Sequence, residues 1–131
     1  MIAVDTNVLV RYVTNDDPTQ AAHAIDLIAK ADEIFIAKTV LLELKWVLRA
    51  VYGLKSKAIS KSILHVLGLP NVTAEDSYQV DLALKYYVQG LDFADALHLA
   101  SSQQVEMFYT FDAKFARRAG TMGLFVAQPG S

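Results

Sequence analysis

Met1-Ile2-Ala3-Val4-Asp5-Thr6-Asn7-Val8-Leu9 opens the chain. Four apolar residues are followed by an acid, a hydroxyl and an amide, and then by renewed apolar residues. The run is too short for a helix and ends in residues that favour turns and caps. Ile2-Ala3-Val4 therefore reads as a short buried strand that ends at Asp5-Thr6-Asn7, and Asp5 or Thr6 caps a helix over 8–12. The same order returns along the sequence. Pro18 suits the first turn of a second helix, with Ala21, Ile25 and Ile28 on one face and Asp26 and Lys30 paired on another. Ile34-Phe35-Ile36-Ala37 is a second strand, and a third helix runs over about 39–52, stopped by Gly53. Ser56 caps a fourth helix that ends near Gly68-Leu69-Pro70. Thr73 and Asp76 resemble a capping box for a fifth, stopped by Gly90. Asp92 begins a sixth over 93–104. Met107-Phe108-Tyr109-Thr110 is a third strand, a short helix follows Asp112 and stops at Gly120, and Leu124-Phe125-Val126 is a last strand. Short apolar strands alternating with amphipathic helices point to an α/β fold built on a parallel sheet.

The chain has 131 residues, which suits a single domain over 1–131. Its 53% hydrophobic content is enough for a core and excludes a disordered chain. There are no cysteines, so disulfides and thiolate metal sites are excluded and a reducing, cytoplasmic setting is expected. The N-terminus has no basic run before its apolar residues and does not resemble a signal peptide. Glu43, Lys45 and Arg49 interrupt the longest apolar stretches, so no membrane span is expected. The net charge of -2 is unlike that of proteins held to nucleic acid by general phosphate contacts, so any such contact must be local or metal-mediated.

Asp5, Glu43, Asp95 and Asp112 stand at strand ends or beside apolar helix faces. In α/β sheets the ligand site lies beyond the carboxyl ends of the strands, and Asp5 and Asp112 each follow directly on one. Separately, Asp5 and Asp112 can be helix caps, and Asp92 with Asp95 mimics a capping box. Glu43 is harder to place so: Val40, Leu44, Val47 and Val51 mark the apolar stripe of its helix, and Glu43 falls within about 60° of that stripe. One hard cation explains all four acids together, because Mg²⁺ and Mn²⁺ take oxygen ligands. Two carboxylates on one such ion would lower the pKa of a water and orient it on a phosphorus; a second ion about 3.5–4 Å away would stabilise the leaving oxygen. A metal-dependent phosphodiester hydrolase is the reading these residues favour.

These motifs resemble the PIN-domain nucleases and, within them, the virulence-associated protein C (VapC) ribonuclease toxins. Residues 1–9 resemble that family's first motif. Val40-Leu41-Leu42-Glu43-Leu44 carries the second acid, Asp92-Phe93-Ala94-Asp95-Ala96-Leu97-His98-Leu99-Ala100 is similar to the third motif, and Thr110-Phe111-Asp112 with Lys114-Phe115 to the fourth. Each motif is weak alone, and the ordered set of four is specific. The resemblance implies a three-layer α/β/α sandwich on a mainly parallel sheet, and Mg²⁺- or Mn²⁺-dependent endonucleolytic cleavage of RNA. It further implies a homodimer and a small cognate antitoxin that blocks the site.

Around the acids, Thr6 and Asn7 are candidates to hold Asp5 or a metal water, with a helix-start role competing, and Thr110 is a candidate to do the same for Asp112. Asp92 is a candidate outer acid, with capping the better reading. Arg11, Lys38, Lys114, Arg117 and Arg118 are candidates for RNA phosphates, with Lys114 and Arg117 favoured because they follow Asp112. Trp46 and the tyrosines are candidates for base stacking or a subunit interface, with core packing the reading for most. His98 reads as a helix-packing residue. Two rivals keep the fold: a housekeeping ribonuclease in RNA maturation, separated by growth on expression without an antitoxin, and a non-catalytic PIN-like interaction module, separated by Mn²⁺ titration. An aspartyl-phosphate phosphatase would need an acid two positions after Asp5, where Asn7 stands. The RNA cleaved is open, as is the choice between one and two metal ions.

Overall fold

A computed structural model describes residues 1–130. The elements run β1 (Ile2–Ala3), α1 (Thr6–Thr14), α2 (Pro18–Lys30), β2 (Ile34–Ile36), α3 (Lys38–Ala50), α4 (Ser56–Leu67), β3 (Val72–Ala74), α5 (Ser77–Val88), α6 (Phe93–Ala100), β4 (Phe108–Tyr109), α7 (Ala113–Thr121) and β5 (Val126–Ala127). The chain divides into two compact units, Met1–Ser77 and the residues from Tyr78 onward.

The first unit is built on a parallel three-stranded sheet in the order β1-β2-β3. Ile2 is in register with Ile34, and Ile34, Phe35 and Ile36 with Val72, Thr73 and Ala74. The central β2 buries Ile34 and Ile36. β1 is exposed, not buried as expected from its composition, because it is hydrogen-bonded on one side only. The first connection carries α1 and α2, and the second α3 and α4; α1 packs on both α2 and α3. β3 replaces the capping box expected at Thr73 and Asp76. Thr73 is a strand residue, and Asp76 adopts a left-handed φ of 47°, which excludes it from a helical first turn.

Two helices turn other faces inward than their sequence suggested. α2 buries Ala21, Ala24 and Ile28, leaving Ile25 exposed. α3 buries Leu41, Leu44 and Leu48, leaving Val51 exposed. Relative to that leucine stripe Glu43 lies about 130° round the helix, on a solvent-facing side, instead of beside the core. Lys45 is half-buried.

The second unit holds α5, α6 and α7 with the parallel pair β4-β5. Phe93 is fully buried and meets Tyr87 edge-on, ring centroids 5.4 Å apart; Phe108 packs on Phe115 at 5.8 Å. α6 ends at Ala100, short of the expected 104. The Ser102 hydroxyl and the Gln103 amide donate to the carbonyls of His98 and Leu99, taking the acceptors that further helical amides would need. α7 runs through Gly120 and turns at Gly123, φ 74°. His98 is exposed, so it is not the packing residue expected. No helix among the described residues is long and apolar enough to cross a membrane.

Candidate active site

The carboxyl ends of β1 and β2 open into one cleft of about 360 Å³, lined among others by Asp5, Thr6, Asn7, Arg11, Glu43 and Tyr52. Its acids arrive by two routes. The chain leaves β1 through buried Val4, and Asp5 becomes the N-cap of α1, its Oδ1 accepting the Thr6 backbone N–H at 2.7 Å. α3 starts directly after β2 and presents Glu43 from its second turn. Thr6 joins the two: 6% exposed, its hydroxyl donates to Glu43 Oε1 at 3.3 Å. Each carboxylate thus has one oxygen engaged by the protein and a second with no hydrogen bond among the described residues. Capping and ligand binding are therefore compatible at Asp5, because a carboxylate offers about four acceptor sites.

Arg11 forms the rim. Its Nε donates to Gln20 Oε1 at 2.7 Å and its Nη1 to Asp16 Oδ1 at 2.8 Å. Desolvation works against the guanidinium, but the hydrogen bond and charge of Asp16 prevail and raise its pKa. Asp16 also accepts the hydroxyls of Tyr52 and, at 3.0 Å, of Thr14. The Tyr52 hydroxyl foremost, then Thr14 and Arg11, holds the Asp16 carboxyl below the usual carboxylate range. Asp16 and Tyr52 were not singled out from sequence. The turn that brings Asp16 back depends on Asn15 in the left-handed region, φ 54°, and the Asn15-Asp16-Asp17 run was the available signal.

In the second unit Asp92 is the N-cap of α6, accepting the Ala94 N–H at 3.1 Å, and half-buried Asp95 occupies the third helical position, as a capping box requires. Asp112 is the N-cap of α7, its Oδ1 accepting the Phe115 N–H at 3.0 Å. The Thr110 hydroxyl accepts the Asp112 backbone N–H at 3.0 Å, so it fixes the backbone rather than the carboxylate. Lys114 and Arg117 line a second cleft with Gln89, Arg118 and Thr121. Lys38, at the start of α3, is ion-paired with Asp76 at 3.1 Å and its side chain is 16% exposed. Trp46, Tyr78 and Tyr109 are exposed, whereas Tyr86 and Tyr87 are core residues.

The structure thus brings Asp5, Thr6, Asn7, Arg11 and Glu43 into one cleft of the first unit, with Asp95 and Asp112 in the second. Among the described residues no group of three or more histidine, cysteine, aspartate or glutamate side chains is gathered to hold a metal ion. The donor chemistry of Asp5 and Glu43 nevertheless fits Mg²⁺, which binds through one or two carboxylates and retains several waters.

The sequence profile of the PIN domain matches residues 2–121. A search of curated proteins finds no match. Among solved structures, the crystal structure of the Mycobacterium tuberculosis Sarcin-Ricin loop cleaving toxin VapC20 is similar over 95% of this chain and 96% of its own, at 22% identity and a TM-score of 0.47.

Proposed function

The chain belongs to the PIN-domain family, and on that premise we propose that it is a metal-dependent endoribonuclease, the toxin of a toxin–antitoxin pair. Its fold class is α/β, the three-layer α/β/α type with a mainly parallel sheet. One observation supports the activity above all: the carboxylates of Asp5 and Glu43 line one cleft at the carboxyl ends of paired parallel strands, linked through Thr6, whose amide donates to Asp5 and whose hydroxyl donates to Glu43. The ordered motifs around Asp5, Glu43, Asp95 and Asp112 support the toxin assignment.

In this reading the uncommitted oxygens of Asp5 and Glu43 would hold Mg²⁺ or Mn²⁺, and Asp95 and Asp112, in the second unit, are the further candidate acids of the ordered motif set. When bound, such an ion would supply Lewis acidity and would lower the pKa of a water. Thr6 keeps Glu43 oriented, and the Thr6 amide at the start of α1 fixes Asp5. Asn7 offers its amide to the cleft. Lys114 and Arg117 hold substrate phosphates; Arg11 and Lys38 are secondary contacts because Asp16 and Asp76 already engage them. The two units act as one PIN domain, since the family match crosses the boundary between them. The protein works in the cytoplasm as a homodimer and is silenced by a small antitoxin.

The test is cleavage of RNA by the purified protein with Mg²⁺, with Mn²⁺ and in excess chelator. Cleavage should require one of the metals and disappear in Asp5→Asn and Glu43→Gln. Undiminished cleavage in chelator sinks the metal mechanism.

A further inference from the structure

α7 reads Ala113-Lys114-Phe115-Ala116-Arg117-Arg118-Ala119-Gly120-Thr121: three cations and no acid in nine residues of a chain whose net charge is -2. Lys114, Arg117, Arg118 and Thr121 fall at i, i+3, i+4 and i+7, so they form one stripe, while Phe115 and Ala119 bury the other side. That stripe spans roughly 10 Å along the helix. It lines a polar cleft of about 290 Å³ with Gln89, which follows the last residue of α5. None of the three cations has a carboxylate partner among the described residues.

Arg118 is not merely exposed there. Gly90 has φ +120°, and its missing Cβ is the space that the guanidinium occupies: an added Cβ would collide with Nη1 and lie 3.3 Å from Cδ and Cζ. A role for Arg118 in capping α5 explains little. The amides of Gly90 and Leu91 already take the carbonyls of Tyr87 and Tyr86, at 3.0 and 3.2 Å, in the glycine-terminated pattern that closes a helix by itself. Three like charges held side by side repel one another, and an anion relieves that repulsion.

We propose that this cleft is a phosphodiester-binding subsite for the RNA backbone, with Lys114, Arg117 and Arg118 as its cations and Gly90 as the positioning residue that seats Arg118. The seated guanidinium presents a planar fork suited to two phosphate oxygens. The proposal rests on the ribonuclease reading for the identity of its ligand and deepens it: to the phosphate contacts of Lys114 and Arg117 it adds Arg118 and the glycine that seats it, on the helix that carries Asp112 at its start.

The experiment measures binding of a labelled single-stranded RNA dodecamer by the full chain in chelator over a range of salt, with RNA integrity checked after each titration. Lys114→Gln, Arg117→Gln and Arg118→Gln should each weaken binding at least threefold and lower the slope of log affinity against log salt by about 0.7, the value for one lost single-strand phosphate contact. Gly90→Ala should weaken binding as Arg118→Gln does, and Arg118→Gln added to Gly90→Ala should cost nothing more. A purely structural role for Gly90 would lower the melting temperature and leave the slope unchanged. An unchanged slope in the triple Gln variant overturns the proposal. So does a polyglutamate peptide of equal charge that binds as tightly and is lost with the same substitutions, which would make the cleft a protein-docking site. Binding through the cleft without any cleavage in Mg²⁺ or Mn²⁺ removes the nuclease reading alone; unchanged KM for cleavage in the three variants removes the subsite alone.

Discussion

Thr6 concentrates three tasks in one residue: its amide satisfies Asp5, its hydroxyl satisfies Glu43, and its side chain is buried. Thr6→Val keeps the volume and removes only the hydroxyl. A hydrogen bond to a charged group contributes about 1.5–3 kcal/mol, and at 3.3 Å the low end applies. We expect kcat/KM to fall roughly tenfold, the equivalent of about 1.4 kcal/mol, while the melting temperature hardly moves because Glu43 is solvated. A normal rate in Thr6→Val would show that Glu43 needs no orientation. The rim network adds a pH dependence. Asp16 has a folded-state pKa below its unfolded value of about 3.9, so its stabilisation is complete above that value and is lost as pH falls through the folded value. Tyr52→Phe removes the foremost cause. Its melting temperature should lie below wild type near neutrality and converge with it under acid; a gap that persists at the lowest pH would assign the difference to packing. Asp5, Asp92 and Asp112 were all legible as caps, since each is followed by its helix. The Thr6–Glu43 and Tyr52–Asp16 bonds were not legible, because they join residues 37 and 36 positions apart.

Elements here are tied together by side chains at their ends. Asn71, just before β3, donates through Nδ2 to the carbonyls of Ile28 and Ala31 at 2.8 and 2.9 Å, closing the last turn of α2. Its own carbonyl accepts the Ile34 amide at 2.8 Å, starting β2. Asn71→Ala removes both side-chain bonds and leaves half-buried carbonyls unpaired. A loss of about 2 kcal/mol is expected from the desolvation of those groups, read as a shift of the denaturation midpoint; a shift indistinguishable from zero would mean water replaces the amide. Alternation of strand and helix was readable because β2 is strongly apolar and Pro18, Gly53 and Gly90 punctuate the helices. β3 was hidden, since Val72-Thr73-Ala74 carries one large apolar residue and borrows its strand character from the ladder to β2. The inward face of α3 was misread because valines and leucines compete along it, and tertiary packing selects Leu41, Leu44 and Leu48.

For the whole molecule, the acids oppose stability unless a cation is supplied. Asp5 and Glu43 share one cleft, where like charges repel and resist desolvation. Asp5→Asn and Glu43→Gln should abolish cleavage yet leave metal-free melting temperatures equal to wild type or higher. Mg²⁺ at tenfold over its dissociation constant should stabilise wild type by about 1.4 kcal/mol and the variants much less. Thermal melts with and without Mg²⁺ decide it: both variants melting clearly lower in chelator, with no shift from Mg²⁺ in any protein, would leave the acids with structural roles only.

Ala37 gives α3 no side-chain cap; instead Glu75 Oε1 accepts the Lys38 N–H at 2.9 Å, while Asp76 pairs with the Lys38 ammonium. The helix that carries Glu43 therefore depends at its first turn on residues that lie 37 and 38 positions later. The same few residues follow directly on β3, the strand that completes the sheet. The start of the Glu43 helix and the edge of the sheet thus share one short segment, so a change at Glu75 or Asp76 reaches the cleft from the far side of β3.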